Sequence, residues 1–138
     1  MAKTASWLAG LACVAAMAAP AAAQDFSDEE FCRVMTEEAR TVNRRNPSWI
    51  DRNIRNDGMA ALCLQKTIEY RTYMKVDPGS LMTEGWESRH QAQWSRKSCR
   101  EPLLSAIRAG WRIVEIQSTP KSARYPDGLR HRVVAVCG

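Results

Sequence analysis

The sequence has little that a metallo-enzyme or redox enzyme needs. Histidine occurs only twice, at His90 and His131, and no Cys-x-x-Cys pair exists. The last four cysteines, Cys32, Cys63, Cys99 and Cys137, stand 31, 36 and 38 residues apart without a histidine at ligand spacing, which disfavours zinc binding and thiol exchange. The Gly-x-x-x-x-Gly-Lys loop, the Gly-x-Ser-x-Gly elbow and the His-Glu-x-x-His helix are all missing, so phosphate cradling, serine hydrolysis and zinc hydrolysis lose their usual marks. Neither a metal nor a cofactor is expected. After the first two dozen residues no long apolar run follows, so no transmembrane span is expected in the remainder.

What is present begins with an export signal. Lys3 supplies the positive start, Trp7 to Ala19 is apolar and uncharged, Pro20 breaks the run, and Ala21-Ala22-Ala23 offers the small residues a signal peptidase reads. Cleavage is expected before Gln24. A rival reading anchors the chain as a lipoprotein through Cys13, but Gly10-Leu11-Ala12 lacks the leucine that a lipobox carries three places before the cysteine. Residues 24–138 are then expected to form one soluble periplasmic or secreted domain, long enough for a single modest core. Losing Lys3 and Cys13 with the signal leaves 19 basic residues, 15 acidic ones and four cysteines. An even number in a short exported chain reads as two disulfides. Three connectivities are open; the placement of Cys32 and Cys63 in the first half and Cys99 and Cys137 in the second favours pairing within each half.

The chain reads as α+β, with three to four helices, two of them stapled together by a disulfide, followed by a C-terminal antiparallel hairpin or small sheet. Ser27-Asp28-Glu29-Glu30 is a capping box, and Phe31, Val34, Met35, Ala39 and Val42 continue at helical spacing until Asn46-Pro47. Pro47 is expected to open a short turn of helix carrying Trp49, Ile50 and Ile54. Asp57-Gly58 reads as punctuation before a central helix from Met59 to Met74, whose apolar positions cover more than one stripe. After a turn over Val76 to Ser80, Thr83 is expected to cap a helix through Ser98, and Pro102 to open a short fourth one that ends at Gly110. Trp111 to Ser118 and Leu129 to Cys137 are rich in β-branched residues, with Pro126-Asp127-Gly128 as turn chemistry before the second, and predict a hairpin.

Two groups carry the functional reading. Trp86, His90 and Trp94 recur every four residues and so share one helix face. They form either an aromatic binding surface with a titratable contact, or an indole stripe packed into the core. The arginines are the second group. They outnumber lysines 15 to 4 after the signal, with Arg124, Arg130 and Arg132 near the end, and their forks suit carboxylate or phosphate on an acidic partner or envelope polymer. Interleaved Asp28, Glu37, Glu38, Asp51 and Asp57 also fit a merely solvated face. Nucleic acid is not expected as a partner, since no recognition motif for it occurs. Glu84 and Glu87 are the one carboxylate pair a glycan-cleaving enzyme could use, though both stand at a helix start, where capping explains them.

Cys99-Arg100-Glu101-Pro102, then Ile107, Gly110-Trp111, an alternating strand, Asp127-Gly128, a second strand and the final Cys137 resemble the closing part of small secreted proteobacterial proteins of unknown function. Some of those are labelled as candidate quorum-sensing-regulated virulence factors. The resemblance spans about a third of the exported chain. It implies that Cys-x-x-Pro opens a short helix and that the last cysteine pairs back to Cys99, and it supplies no catalytic residue. The expectation from sequence is therefore a small exported, non-enzymatic protein that binds a protein or an anionic envelope polymer through Trp86, His90, Trp94, Arg124, Arg130 and Arg132. A small envelope enzyme acting on glycan or peptide through Glu84, Glu87 and His90 is the alternative.

Overall fold

A computed structural model describes residues 25–138, so the expected export signal and its expected cleavage before Gln24 lie outside the described residues. Helix α1 spans Asp28–Arg44. Its start is the expected cap: the Ser27 hydroxyl accepts from the Glu30 amide, and Asp28, Glu29 and Glu30 place negative charge where the helix dipole is positive. Phe31, Met35 and Ala39 form its buried stripe. The chain turns out of the helix at Asn46-Pro47, where the Asn46 side chain donates to the Val42 carbonyl.

The segment after Pro47 departs from the sequence expectation. Instead of helices it forms strands β1 (Ser48–Trp49), β2 (Ile54–Leu62) and β3 (Thr67–Met74), the last two an antiparallel hairpin closed by a single 3₁₀ turn over Cys63–Gln65. Asp57-Gly58 does not end an element. Gly58 sits at φ +106° in a bulge within β2, and a side chain there would press on Asn43. The Asn43 amide clamps that bulge to α1: it donates to the Met59 carbonyl at 2.8 Å and accepts from the Met59 amide at 2.9 Å. The expected pair of disulfide-stapled helices is thus a helix stapled to a hairpin turn. The Cys32–Cys63 bridge joins α1 to that turn.

Beyond β3 the reading holds more closely. A single turn, α2 (Pro78–Leu81), leads into α3 (Trp86–Ser98) and then α4 (Leu103–Arg108). Gly85 rather than Thr83 precedes α3 as its cap. Gly110, at φ +94°, releases the chain from the end of α4 into β4 (Arg112–Ser118), which pairs antiparallel with β5 (Arg130–Val134). The sheet has five strands in the order β1-β2-β3-β4-β5. It is mixed, because β3 and β4 run parallel, and α2, α3 and α4 make the crossover that a parallel pair requires. The architecture is α+β, with strands on both sides of the later helices rather than only at the end.

Register decides what faces the helices. Ala61, Ile68 and Ile113 stand in one row across β2, β3 and β4, then Met59, Tyr70, Glu115 and Val133, then Asn56, Thr72, Gln117 and His131. The core lies between these rows and α1, α3 and α4. Phe31, Met35, Met59, Ile68, Trp94, Ala106, Trp111 and Ile113 fill it. The second bridge, Cys99–Cys137, fastens the end of α3 to the chain just beyond β5. Side chains of α3 also occupy the outer edge of β5: Gln91 donates to the Val134 carbonyl, and the Ser95 hydroxyl accepts from the Val136 amide. That covers part of an edge otherwise open to another strand.

Candidate functional site

The Trp86, His90 and Trp94 stripe lies on α3 as its spacing requires, but the three side chains meet different surroundings. Trp94 belongs to the core: it is buried, its indole N–H donates to the Ile113 carbonyl at 3.0 Å, and its ring stands edge-on to Tyr70. Trp86 is half-buried and packs edge-on against the His131 ring, with centroids 4.6 Å apart. Between them, His90 is buried and both of its ring nitrogens are engaged. Nε2 meets the Glu115 carboxylate at 2.5 Å, and Nδ1 meets Nδ1 of His131 at 2.8 Å.

The result is a line of three titratable groups from three elements, Glu115 on β4, His90 on α3 and His131 on β5. Glu115 is additionally held by the Thr72 hydroxyl from β3, at 3.3 Å. Hydrogen-bond geometry limits where a proton can sit along this line. Toward an ionised carboxylate, which only accepts, Nε2 of His90 is the donor. Between the two Nδ1 atoms there is room for one proton, so one imidazole donates and the other accepts. If both histidines were cationic, two N–H groups would point at each other across 2.8 Å. Burial first, and the neighbouring His90 second, hold the His131 pKa below the ordinary histidine value, while Glu87 and Glu115 pull it up.

That direction sets a pH dependence. Because the folded state disfavours protonated His131, the unfolded chain binds the proton more readily below about pH 6.5. Stability from this residue is therefore complete above that value and declines as pH falls through the lowered folded-state pKa. Urea midpoints recorded at half-unit steps between pH 7.5 and 5 should fall toward acid in the wild type and fall less in His131→Asn. Parallel curves for the two proteins would remove His131 as the cause.

Beside the His90–Glu115 pair lies a cavity of about 310 Å³. Its polar floor is His90, Glu115, Thr72 and Gln117; Ile54, Met74 and Trp94 wall it; Ile50, Gln93 and Lys97 stand at the solvent side. Gln117 and Glu115 are polar residues on strand positions that otherwise face the core, in the same alternation as Ile113. That parity is the sequence signal by which Glu115 could have been found. The reading from sequence singled out Glu84 and Glu87 instead. Both are exposed, and both line a separate shallow hollow at the start of α3.

The structure does not gather the remaining expected residues here. Arg130 and Arg132 alternate with His131 along β5, so the pleat sends them to the opposite face of the sheet from His131 and its partner Trp86. Arg124 sits in the β4–β5 loop, its guanidinium 5.8 Å from the Tyr125 ring centroid. All three arginines are exposed. Among the described residues, no cluster of three His, Cys, Asp or Glu side chains is arranged to hold a metal ion, and no helix is long and apolar enough to cross a membrane.

No family model matches the chain, and no curated protein matches it. Among solved structures it is similar to a protein of Pseudomonas aeruginosa described as "a putative secreted protein". The two share 12% sequence identity, and the match, with a TM-score of 0.54, covers 75% of this chain and 90% of the other. At that identity the likeness is one of fold, and it links this α+β arrangement with that of a distant bacterial neighbour.

Proposed function

We propose that this chain is an exported binding protein that takes a small amphipathic ligand, apolar in its body and anionic at one end, in the cavity between α3 and the face of β3 and β4, beside the β1–β2 connection. Export is supported by the two disulfides, by the signal-like first 23 residues and by the likeness to a protein described as secreted. The observation that carries the ligand reading is the cavity itself: apolar walls from Ile54, Met74 and Trp94, polar groups converging on one end, and the exposed ammonium of Lys97 at the mouth. An acyl or aryl body fits the walls, and a carboxylate fits Lys97. Glu115 favours binding over catalysis, because one of its oxygens is taken by His90 and the other by Thr72, leaving it an anchor rather than a free base. The finer expectation of a protein or envelope-polymer partner then applies to what carries that anionic group.

Octanoate is a suitable probe. In NMR titrations it should shift the Trp94 indole and Ile54 methyl signals saturably, whereas octan-1-ol, which lacks the carboxylate, should bind about tenfold more weakly. Ile54→Trp, which fills the cavity, should abolish the response, and Lys97→Glu should weaken it by about tenfold. A linear, unsaturated drift of signals in the wild type, or an unchanged affinity in both variants, would show that the cavity takes no such ligand.

A further inference from the structure

A second cavity, of about 410 Å³, lies on the opposite flank of α1 from its disulfide to the hairpin turn, between α1 and the start of α4. Its floor is apolar, formed by Phe26, Phe31 and Met35 with Val34 beside them. Phe31 and Met35 are buried edges of the core, but Val34 is 43% exposed and Phe26 is half-buried. The rim is acidic: Asp25, Glu30 and Glu38 on one side and Glu101 on the other. This is unexpected in a chain of net charge +5. Among the described residues, only Glu30 of these four has a basic partner, Arg33. Glu101 bonds to the Ser105 hydroxyl and amide, which leaves its charge uncompensated.

The spacing is that of a recognition stripe. Glu30, Val34 and Glu38 follow one another every four residues along the groove side of α1, so an exposed apolar side chain stands between two carboxylates. Eight residues of helix separate the two glutamates by about 12 Å. Arg33, Glu37 and Arg40 fall outside the groove, where Arg40 pairs with Glu37. We infer that the α1–α4 groove is a docking site for a basic amphipathic peptide segment of a partner protein, one that lays an apolar side chain against Phe31 and Val34 while lysine or arginine on its two sides meets Glu30, Glu38 and Glu101. Charge complementarity selects this occupant. An acidic or lipid-phosphate surface is repelled by the rim, and a second copy of the chain docking rim to rim would oppose like charges.

The site is independent of the cavity beside His90, and the two can be tested apart. The probe is a fluorescein-labelled helical peptide with a leucine face flanked by lysines, alongside a twin in which glutamates replace the lysines. Fluorescence anisotropy should show saturable binding of the lysine peptide and at least tenfold weaker binding of its twin. The double variant Glu38→Lys/Glu101→Lys should lose at least tenfold in affinity, and so should Val34→Asp. Glu29→Lys/Glu37→Lys carries the same change in net charge outside the groove and should lose less than threefold. Unaltered circular dichroism and an unchanged urea midpoint would show that each variant is folded. Equal binding of the twin peptides, equal losses in the two double variants, or self-association that competes with the peptide would each overturn the assignment.

Discussion

Replacing Cys32 and Cys63 together by alanine is expected to remove about 4 kcal/mol of stability, and replacing Cys99 and Cys137 about the same. The bridges close loops with sequence separations of 31 and 38, and the chain-entropy cost of a loop grows only with the logarithm of its length, so the two effects should be close to equal. Domains of this size are stable by about 5–15 kcal/mol in total. Loss of one bridge should therefore leave a folded but fragile protein, and loss of both a largely unfolded one. Urea unfolding offers a two-part readout. The midpoint should fall in each double variant, and the slope should rise, because an uncrosslinked denatured chain exposes more surface. A loss under 1 kcal/mol in both variants would mean that packing alone holds α1 on the hairpin turn and α3 on the end of β5.

The second large effect is expected at Glu115. Its side chain is only 14% exposed and His90 only 10%, so Glu115→Ala leaves the His90 N–H and the Thr72 hydroxyl without their acceptor in a largely buried site. Breaking one side of such a pair costs about 3 kcal/mol. In a domain of about 115 residues that corresponds to a fall of about 10 °C in melting temperature. Glu115→Gln keeps an acceptor for His90 and should lose less than half as much. Glu37→Ala is the comparison: Glu37 is exposed on α1 and paired with the likewise exposed Arg40, and its removal should stay within about 0.5 kcal/mol. Equal melting temperatures for Glu115→Ala and Glu37→Ala would show that the line from Glu115 through His90 to His131 carries no stability.

The parts of this fold that were legible in the sequence are those written in local chemistry. Ser27 and Glu30 fix the start of α1 within one turn, Gly110 fixes the end of α4, and the β-branched runs of β4 and β5 have no competing helical period. Residues 54–74 read as helical from sequence for a physical reason. Gly58 mimics a turn but serves a bulge, and the hairpin closes through Lys66 in the left-handed conformation, without the glycine or asparagine that normally advertises it. With its turn hidden, the alternation of Ile68, Tyr70 and Thr72 merges with Met59 and Leu62 into an apolar stretch that also satisfies a helical window.

The site was half legible. Spacing placed Trp86, His90 and Trp94 on one face but could not separate the core indole from the half-buried one, since that depends on how α3 lies against Tyr70 and His131. Glu115 and His131 are 25 and 41 residues from His90 along the chain. Nothing local links them; the parallel pairing of β3 with β4 and the return of β5 do.

That parallel pairing has a kinetic consequence. Thr67 on β3 meets Arg112 on β4, so the middle seam of the sheet joins residues 45 positions apart, whereas the β2–β3 hairpin closes within a few residues. Each outer part can organise locally, but the seam between them forms only after α3 and α4 have been laid in place, which makes it the high-contact-order step of folding. The central join therefore stays open until residues 67–118 are all available to close it.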